Sequence, residues 1–552
     1  MTAALYYHPE AYSITSGKLM GRHSAGDSFL EAYLKYSRDE NLAIYCESED
    51  YKEQFLFRKE AINKNKKITF LDRTSQSKIK DIGCIYYPGP SLNELARKRS
   101  LVSNDAWSLI GVTHTTSSAA VMDSITGYLT DPIQPWDALI CTSKAVKQHV
   151  KHLLALEQEY LKKRFGTHSF VTPKLPIIPL GLHTERFNFS LGQRQQSRQH
   201  LGICEQTIVV LYVGRLSFHA KAHPLAMYQA LEKASQKTGK KVLLLECGWY
   251  ANDYIKEAFT KARTQASPTV GYIYLDGRDV KQRNFAWSSA DIFCSLADNI
   301  QETFGLAPLE AMAAGLPVVA SDWNGYRDTI REGVDGFLIK TIMPSSGYGR
   351  DLAHRYGLGI DSYDRYCGYT STFISVDVQE VCSAFEKLFS SYDLRQSMGR
   401  SARQRARERY DWSVVFPQYE HLWEELSVIR DANKSAKNQQ LFNVWPARDD
   451  PYRAFSAYPT LQFSSTNRLS LVDKTVEESL IRLKLYRELE MVKYADSVLV
   501  TEPELVQLVK FVGLDHQPIE AQYLLKNFSP QRRAACVRSL IWLCKLNILH
   551  CQ

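Results

Sequence analysis

Short apolar runs separated by polar or glycine-bearing loops mark the first part of the chain. They fall at Leu42 to Cys46, Lys67 to Leu71, Ile82 to Tyr87, Ser108 to Thr113, Ala138 to Thr142 and Leu175 to Ile178, after a first strand-like stretch near Leu5. Helical periods lie between them. Strand-length runs alternating with helices argue for a mostly parallel sheet covered on both faces. A second series of the same kind runs from Thr207 to Val213, Lys241 to Cys247, Tyr272 to Leu275, Asp291 to Cys294, Val318 to Ala320 and Gly336 to Ile339. The polar stretch between the two series, about residues 186–200, reads as a linker. The pattern therefore predicts two α/β domains of the Rossmann-like kind, residues 1–185 and 201–408.

In such sheets ligands gather at the carboxyl ends of strands, so the loops there are the places to look for chemistry. In the first series one loop runs from Ser16 to Asp27 and opens a helix expected over Ser28 to Lys35, with Gly21 and Gly26 able to let backbone approach a phosphate. Pro88-Gly-Pro-Ser reads as a turn. His114 follows the run that includes Val112 and is placed either to bond a polar ligand or to satisfy local structure. In the second series, Arg215 and Lys221 follow a strand end and precede a helix expected from Pro224 to Lys233. An arginine there offers paired hydrogen bonds and a lysine a compact charge; a surface basic pair is the other reading.

The most informative stretch is Glu302 to Gly325. It leaves an apolar run, turns at Gly305, forms a short helix from about Leu306 to Ala314, stops at Gly315 with Pro317 beyond, and re-enters an apolar run at Val318. The open N–H groups and positive dipole end near Gly305 and Leu306 suit an anion such as a diphosphate. Glu310, expected in the first turn, is placed to accept hydrogen bonds from hydroxyls beside it.

Composition changes this picture little. The chain has 552 residues with 44% hydrophobic and 23% charged positions, ordinary for a globular protein of two or three domains. No apolar run approaches the roughly 18 residues of a spanning helix, and the first residues lack the basic start and apolar core of a secretion signal. The eleven cysteines are scattered with no zinc-like spacing, and several, Cys84, Cys141 and Cys294 among them, sit in apolar runs as buried thiols; a reducing cytoplasmic setting is expected. A net charge of +8 permits anionic ligands or lipid surfaces and argues little for nucleic acid. The basic helix Lys144 to Phe165 reads either as a solvated face or as a peripheral dock on the inner face of an anionic membrane.

Taken together, Gly214-Arg215-Leu216 with Lys221 and the phrase Glu302-Thr-Phe-Gly-Leu-Ala-Pro-Leu-Glu310-Ala-Met-Ala-Ala-Gly-Leu-Pro-Val-Val-Ala resemble the family-4 retaining glycosyltransferases of the GT-B fold. Weaker matches are Ile178 to Phe187 and Tyr410-Asp-Trp-Ser, the start of a helix expected over 409–430 that crosses back onto the first domain. The resemblance covers roughly residues 1–430. It implies two Rossmann-like domains facing a cleft and transfer of a hexose from a nucleotide-diphosphate sugar, a UDP- or GDP-sugar, to a glycan, lipid or natural-product hydroxyl, with retention and without a metal or other cofactor. By the same resemblance Arg215 and Lys221 hold the diphosphate, with Gly305 and Leu306 adding backbone donors. Glu310 takes the ribose hydroxyls, Glu302 and His114 the transferred sugar, and Gly26 the phosphates from the other domain. The acceptor attacks the face the diphosphate leaves, and a phosphate oxygen takes its proton. The sequence departs from the family pattern at Ala222-His223-Pro224 after Lys221, at Asp298-Asn-Ile-Gln before Glu302, and in a Gly/Tyr-rich insertion at about 341–375 that reads as a lid, an interface or a decorative loop.

Beyond about Asp431 the resemblance ends. Asn433 to Asp450 is linker-like, and the rest is expected to be an all-helical accessory domain: a helix opened by a Thr475/Glu478 capping box, then helices over Pro503 to Val512, Pro518 to Lys526, and Pro530 to Leu546 with Ser529 as cap. A protein-contact role is preferred over DNA binding. Two other readings of the whole chain stay open: a catalytically inactive GT-B scaffold, against which Arg215, Lys221, Glu302 and Glu310 together argue, and a nucleotide-sugar epimerase or hydrolase, against which the Glu302–Ala320 phrase argues.

Overall fold

Each series of apolar runs forms one six-stranded parallel sheet. The first comprises β1 (Ala4–Tyr6), β2 (Asn41–Tyr45), β3 (Lys67–Leu71), β4 (Cys84–Tyr86), β5 (Ser108–Val112) and β6 (Ala138–Ile140), in the order β3-β2-β1-β4-β5-β6. The second comprises β7 (Ile208–Leu216), β8 (Val242–Tyr250), β9 (Gly271–Asp276), β10 (Ile292–Ser295), β11 (Val318–Ser321) and β12 (Gly336–Ile339), in the order β12-β11-β10-β7-β8-β9. This computed structural model describes residues 2–12, 21–433, 445–514 and 517–552. Apolar clusters cover both faces of both sheets, which is why their strands read as continuous apolar runs rather than as alternating ones. The Leu175 to Ile178 run makes one isolated bridge, Ile177 to Cys141, and Lys174 just before it bridges to Ala138.

Three elements differ from the sequence reading. Residues 191–200, read as linker, form a helix, Leu191–His200, closed by a Ser190/Gln193 capping box. Its Arg194 donates to Asp291 Oδ1 at 2.5 Å and its Arg198 to Asp291 Oδ2 at 3.2 Å, so charge pairing on a distant loop holds a helix with no apolar face of its own. The first-domain helix spans Gly21–Tyr36, beginning before the expected Ser28; residues 16–20 of the expected loop lie outside the described residues. The 341–375 insertion is ordered: β13 (Thr341–Ile342) and β14 (Ser375–Val376) pair antiparallel and flank two helices, Arg350–Gly357 and Tyr363–Thr372. Arg355 pairs with the buried Asp361 through two bonds of 2.7 and 2.9 Å, and the Tyr356 and Tyr366 rings stack at 4.4 Å.

The chain crosses back at Tyr410-Asp-Trp-Ser, as the motif predicts. Leu182 N–H donates to the Tyr410 carbonyl at 2.8 Å and Trp412 N–H to the Leu182 carbonyl at 3.1 Å. The helix Trp412–Ala432 then packs on the first sheet's core through Trp412, Phe416, Tyr419 and Trp423.

Residues Pro446–Gln552 form a separate unit. It is mostly helical, with the Thr475/Glu478 capping box in place ahead of Val476–Tyr486, and with helices Glu502–Val512 and Arg533–Lys545. It is not all-helical. β15 (Arg468–Leu471), β16 (Ile519–Glu520) and β17 (Leu549–Cys551) make a small antiparallel sheet that ties its two ends together around the buried Leu469 and Leu549. The segment expected as a helix from Pro518 contributes β16 and only a short helix, Ala521–Leu525, and the last helix begins at Arg533, past Ser529. Most of the Asn433 to Asp450 linker, residues 434–444, lies outside the described residues.

Candidate active site

In the second sheet β7 lies beside β10, with Ile292 paired to Val210 and Phe293 to Leu211, so the strand order reverses between these two. A crevice at the carboxyl ends of the strands opens at such a reversal. Arg215 ends β7, Lys221 follows it, and the Glu302 loop follows β10; two stretches far apart in sequence therefore face one another. Lys221 Nζ forms an ion pair with Glu302 Oε2. One Arg215 Nη2 donates to the Ala220 carbonyl at 2.9 Å and reaches Gln301 Oε1 at 3.5 Å.

The helix Leu306–Ala314 has the predicted bounds, and Gly315 ends it in the left-handed region at φ 81°. Gly305 precedes it at φ 90°, and no side chain caps its first N–H groups. A Cβ at Gly305 would fall inside the Tyr326 ring, so this turn needs glycine for space as well as for φ. Glu310 is the fifth residue of the helix rather than one of its first turn. Its carboxylate lies near Arg283 and Lys221, and burial pushes it up to about 7 against their pull.

The first domain supplies the opposite wall. His114 follows β5, and its carbonyl accepts from Thr303 Oγ1 at 3.1 Å, which sets the His114 loop directly against the Glu302 loop. Burial, with Arg22 and His23 nearby, brings the His114 imidazole down to about 4, so it is neutral at physiological pH. Gly26 does not face a phosphate through its backbone. It is the sixth residue of the Gly21–Tyr36 helix, where its N–H is turned to the preceding turn, and its missing side chain makes room for the Ala11 carbonyl.

The sequence reading missed Asn324, Tyr326, Arg283 and Tyr363. Asn324 sits at φ 42°; its side-chain amide donates to the Glu302 carbonyl and its Oδ1 accepts from Ser143 Oγ at 3.0 Å, so it ties the Glu302 loop to the first domain. The Asn324-Gly325 dipeptide, a turn signal, was the available clue. Tyr326 OH lies 3.0 Å from Ser295 Oγ. Tyr363 OH lies 2.8 Å from Ser117 Oγ, and Tyr356 OH accepts from the Ala119 N–H at 2.8 Å, so the insertion bridges to the loop after His114. The tyrosine-rich composition of the insertion was the available clue, though it marks no particular tyrosine.

The raised Glu310 carboxyl has a measurable consequence. A group whose folded value lies above its unfolded one stabilises the fold fully below the unfolded value, near 4.5, and that contribution is lost as pH rises through about 7. The loss is on the order of 3 kcal/mol. Glu310→Gln, which cannot ionise, should therefore match wild type in melting temperature at pH 4.5 and exceed it by several degrees at pH 8.5. Equal melting temperatures at both pH values would refute the raised carboxyl.

Residues 193–344 match the family described as glycosyl transferases group 1. Among curated proteins, the chain is 24% identical over 248 residues to D-inositol 3-phosphate glycosyltransferase of Geodermatophilus obscurus, covering 44% of this chain and 54% of that protein. It is 25% identical over 193 residues to lipopolysaccharide 1,2-N-acetylglucosaminetransferase of Salmonella typhimurium, covering 34% of this chain and 49% of that one. The chain spans about half the length of the curated relatives it matches. Among solved structures, Anabaena HepE in complex with UDP superposes with a TM-score of 0.51 at 15% identity, over 77% of this chain and 100% of that one. The shared feature is the fold, two parallel sheets in the GT-B arrangement.

Proposed function

Starting from a GT-B chain whose residues 193–344 carry the glycosyl transferases group 1 match, we propose that it transfers a hexose from a nucleotide-diphosphate sugar to an acceptor hydroxyl, with retention and without a metal. The observation that carries this reading is the convergence of Arg215, Lys221, Glu302, Glu310 and an uncapped helix end on one crevice. Each group has a task there. Arg215 and Lys221 neutralise the two phosphates, and the N–H groups of Gly305 and Leu306 add donors from the positive end of the helix. Negative charge grows on the departing diphosphate as the glycosidic bond breaks, so fixed donors aimed at it lower the barrier. Glu310 accepts from the ribose hydroxyls. When a diphosphate takes Lys221, Glu302 is released to accept from hydroxyls of the sugar. Neutral His114 serves as a hydrogen-bonding partner for that sugar and not as a cation.

UDP is the first nucleotide to try, because HepE was solved with it. Wild type and Glu310→Ala are incubated with UDP-, GDP- and ADP-sugars and scored for nucleotide release and for binding by thermal shift. One donor should stabilise wild type and release nucleotide, and Glu310→Ala should weaken that binding at least tenfold. If none of the donors binds, the enzyme reading fails and the scaffold reading takes its place; if donor is consumed without transfer to an acceptor or water, epimerisation does.

A further inference from the structure

The helix Tyr363–Thr372 separates two spaces. One face, through Tyr363 and the buried Cys367, closes on Ser117 and Gln301 at the edge of the crevice. The other face borders an open pocket of about 700 Å³ that the catalytic reading does not use. Its walls are Phe218 and Ala226 on the β7 side and Gly368, Thr372, Ile374 and Val376 on the insertion side. Asp298 lies in it with 4% of its surface exposed. Among the described residues its two side-chain oxygens accept from backbone N–H groups alone, that of His223 at 3.4 Å to each and its own. An ionised carboxyl can accept about four hydrogen bonds, so part of this acceptor capacity is left over at the pocket wall. Burial pushes its carboxyl up to about 7.

The lining restricts the ligand. An anion would meet the carboxyls of Asp298 and Asp364, with the exposed Arg365 as the one fixed cation of the lining, because burial holds the His219 and His223 imidazoles down toward their neutral form. A wholly apolar ligand would dry Asp298 without giving it donors, which is costly. A ligand with an apolar face and several neutral hydroxyls meets both demands: C–H groups against Phe218 and hydroxyls donating to Asp298. Pyranose rings have this character, and the volume is within the roughly 300–1,000 Å³ usual for small-molecule sites.

We propose that the pocket between the insertion and the β7 loop is a second saccharide subsite, holding a neutral hexopyranose unit of the acceptor on Phe218 and Asp298. The choice of a sugar rests on the transferase reading; the pocket and its buried carboxyl do not. The insertion then builds this subsite and shares a helix wall with the crevice.

The full chain is titrated with neutral methyl hexopyranosides and their disaccharides by saturation-transfer NMR, and separately with UDP. Wild type, Ala226→Trp, which fills the pocket, and Asp298→Asn are compared. At least one glycoside should bind wild type in the millimolar range, Ala226→Trp should weaken it more than tenfold and Asp298→Asn several-fold, and UDP affinity should stay within twofold in both variants, which also reports that they fold. The proposal is overturned if no glycoside binds wild type, if binding survives Ala226→Trp unchanged, or if methylammonium binds there and the glycosides do not. Glycoside binding that Ala226→Trp removes, in a protein that binds no nucleotide, would leave the subsite standing and remove the donor reading.

Discussion

Arg215→Ala should lower turnover of the nucleotide sugar on the order of 10²–10³-fold, with a smaller change in KM. The reason is in the crevice geometry. The guanidinium is held at the end of β7 by the Ala220 carbonyl, so it is already oriented before any ligand arrives. A preoriented cation pays no reorganisation cost as charge develops, and its loss is felt mainly in the transition state. Arg215 is a cleaner target than Lys221. Removing Lys221 would also strip the ion-pair partner from Glu302, whose side chain is only 10% exposed, and an unpaired carboxylate at that depth would disturb the sugar site as well. On the proposed reading Arg215 and Lys221 act on one diphosphate, so the double variant should fall short of the product of the single effects. Nucleotide release by Arg215→Ala at the wild-type rate would remove the diphosphate role from β7.

The second large effect is on stability. Trp412→Ala should cost about 3–5 kcal/mol, measured by urea unfolding of the first-domain signal. The indole is 1% exposed, its Nε1 donates to Ser28 Oγ at 2.7 Å, and it lies on Gly181, where any Cβ would collide with the ring. Phe29 and Tyr419 surround it at centroid distances of 5.8 and 6.3 Å. Truncation would leave a cavity where the returning chain enters the first domain, and Ser28 would lose its indole donor. Nucleotide affinity should hardly change, because the groups proposed to hold the donor nucleotide stand on the second sheet. Trp412→Phe, which keeps most of the volume, should recover more than half of the loss. A cost below 1 kcal/mol for the alanine variant would show that the crossover helix is anchored elsewhere.

Each misread element has its own cause. The Leu191–His200 helix has almost no apolar face, and what holds it is Asp291, nearly a hundred positions away; only the Ser190/Gln193 pair was visible locally. Beyond the Ser362 cap, the insertion helices are held by an ion pair and a tyrosine stack, neither of which has a period to detect. Gly26 was assigned to a loop because glycines near a strand end suggest a phosphate turn, whereas its actual use is close approach of the Ala11 backbone to a helix. For the Leu191–His200 helix the deciding partner lies far outside any window in which a pattern can be read, and for the insertion the partners are near but follow no period.

The sequence by itself determined the two parallel sheets, because strands buried on both faces must be apolar along their length, and it determined the helix from Leu306 to Ala314, because a glycine at each end and a proline beyond are local instructions to the backbone. It also supplied the types of residue able to hold a diphosphate. That Arg215 and Lys221 meet Glu302 was decided only by the tertiary structure, through the reversal of strand order that sets β7 beside β10. So was the value of the Glu310 carboxyl, because burial depends on everything packed around a side chain and not on its neighbours in the chain. The placing of the insertion against the His114 loop rests on single hydroxyl contacts between segments more than 200 residues apart, which only the folded chain brings within reach.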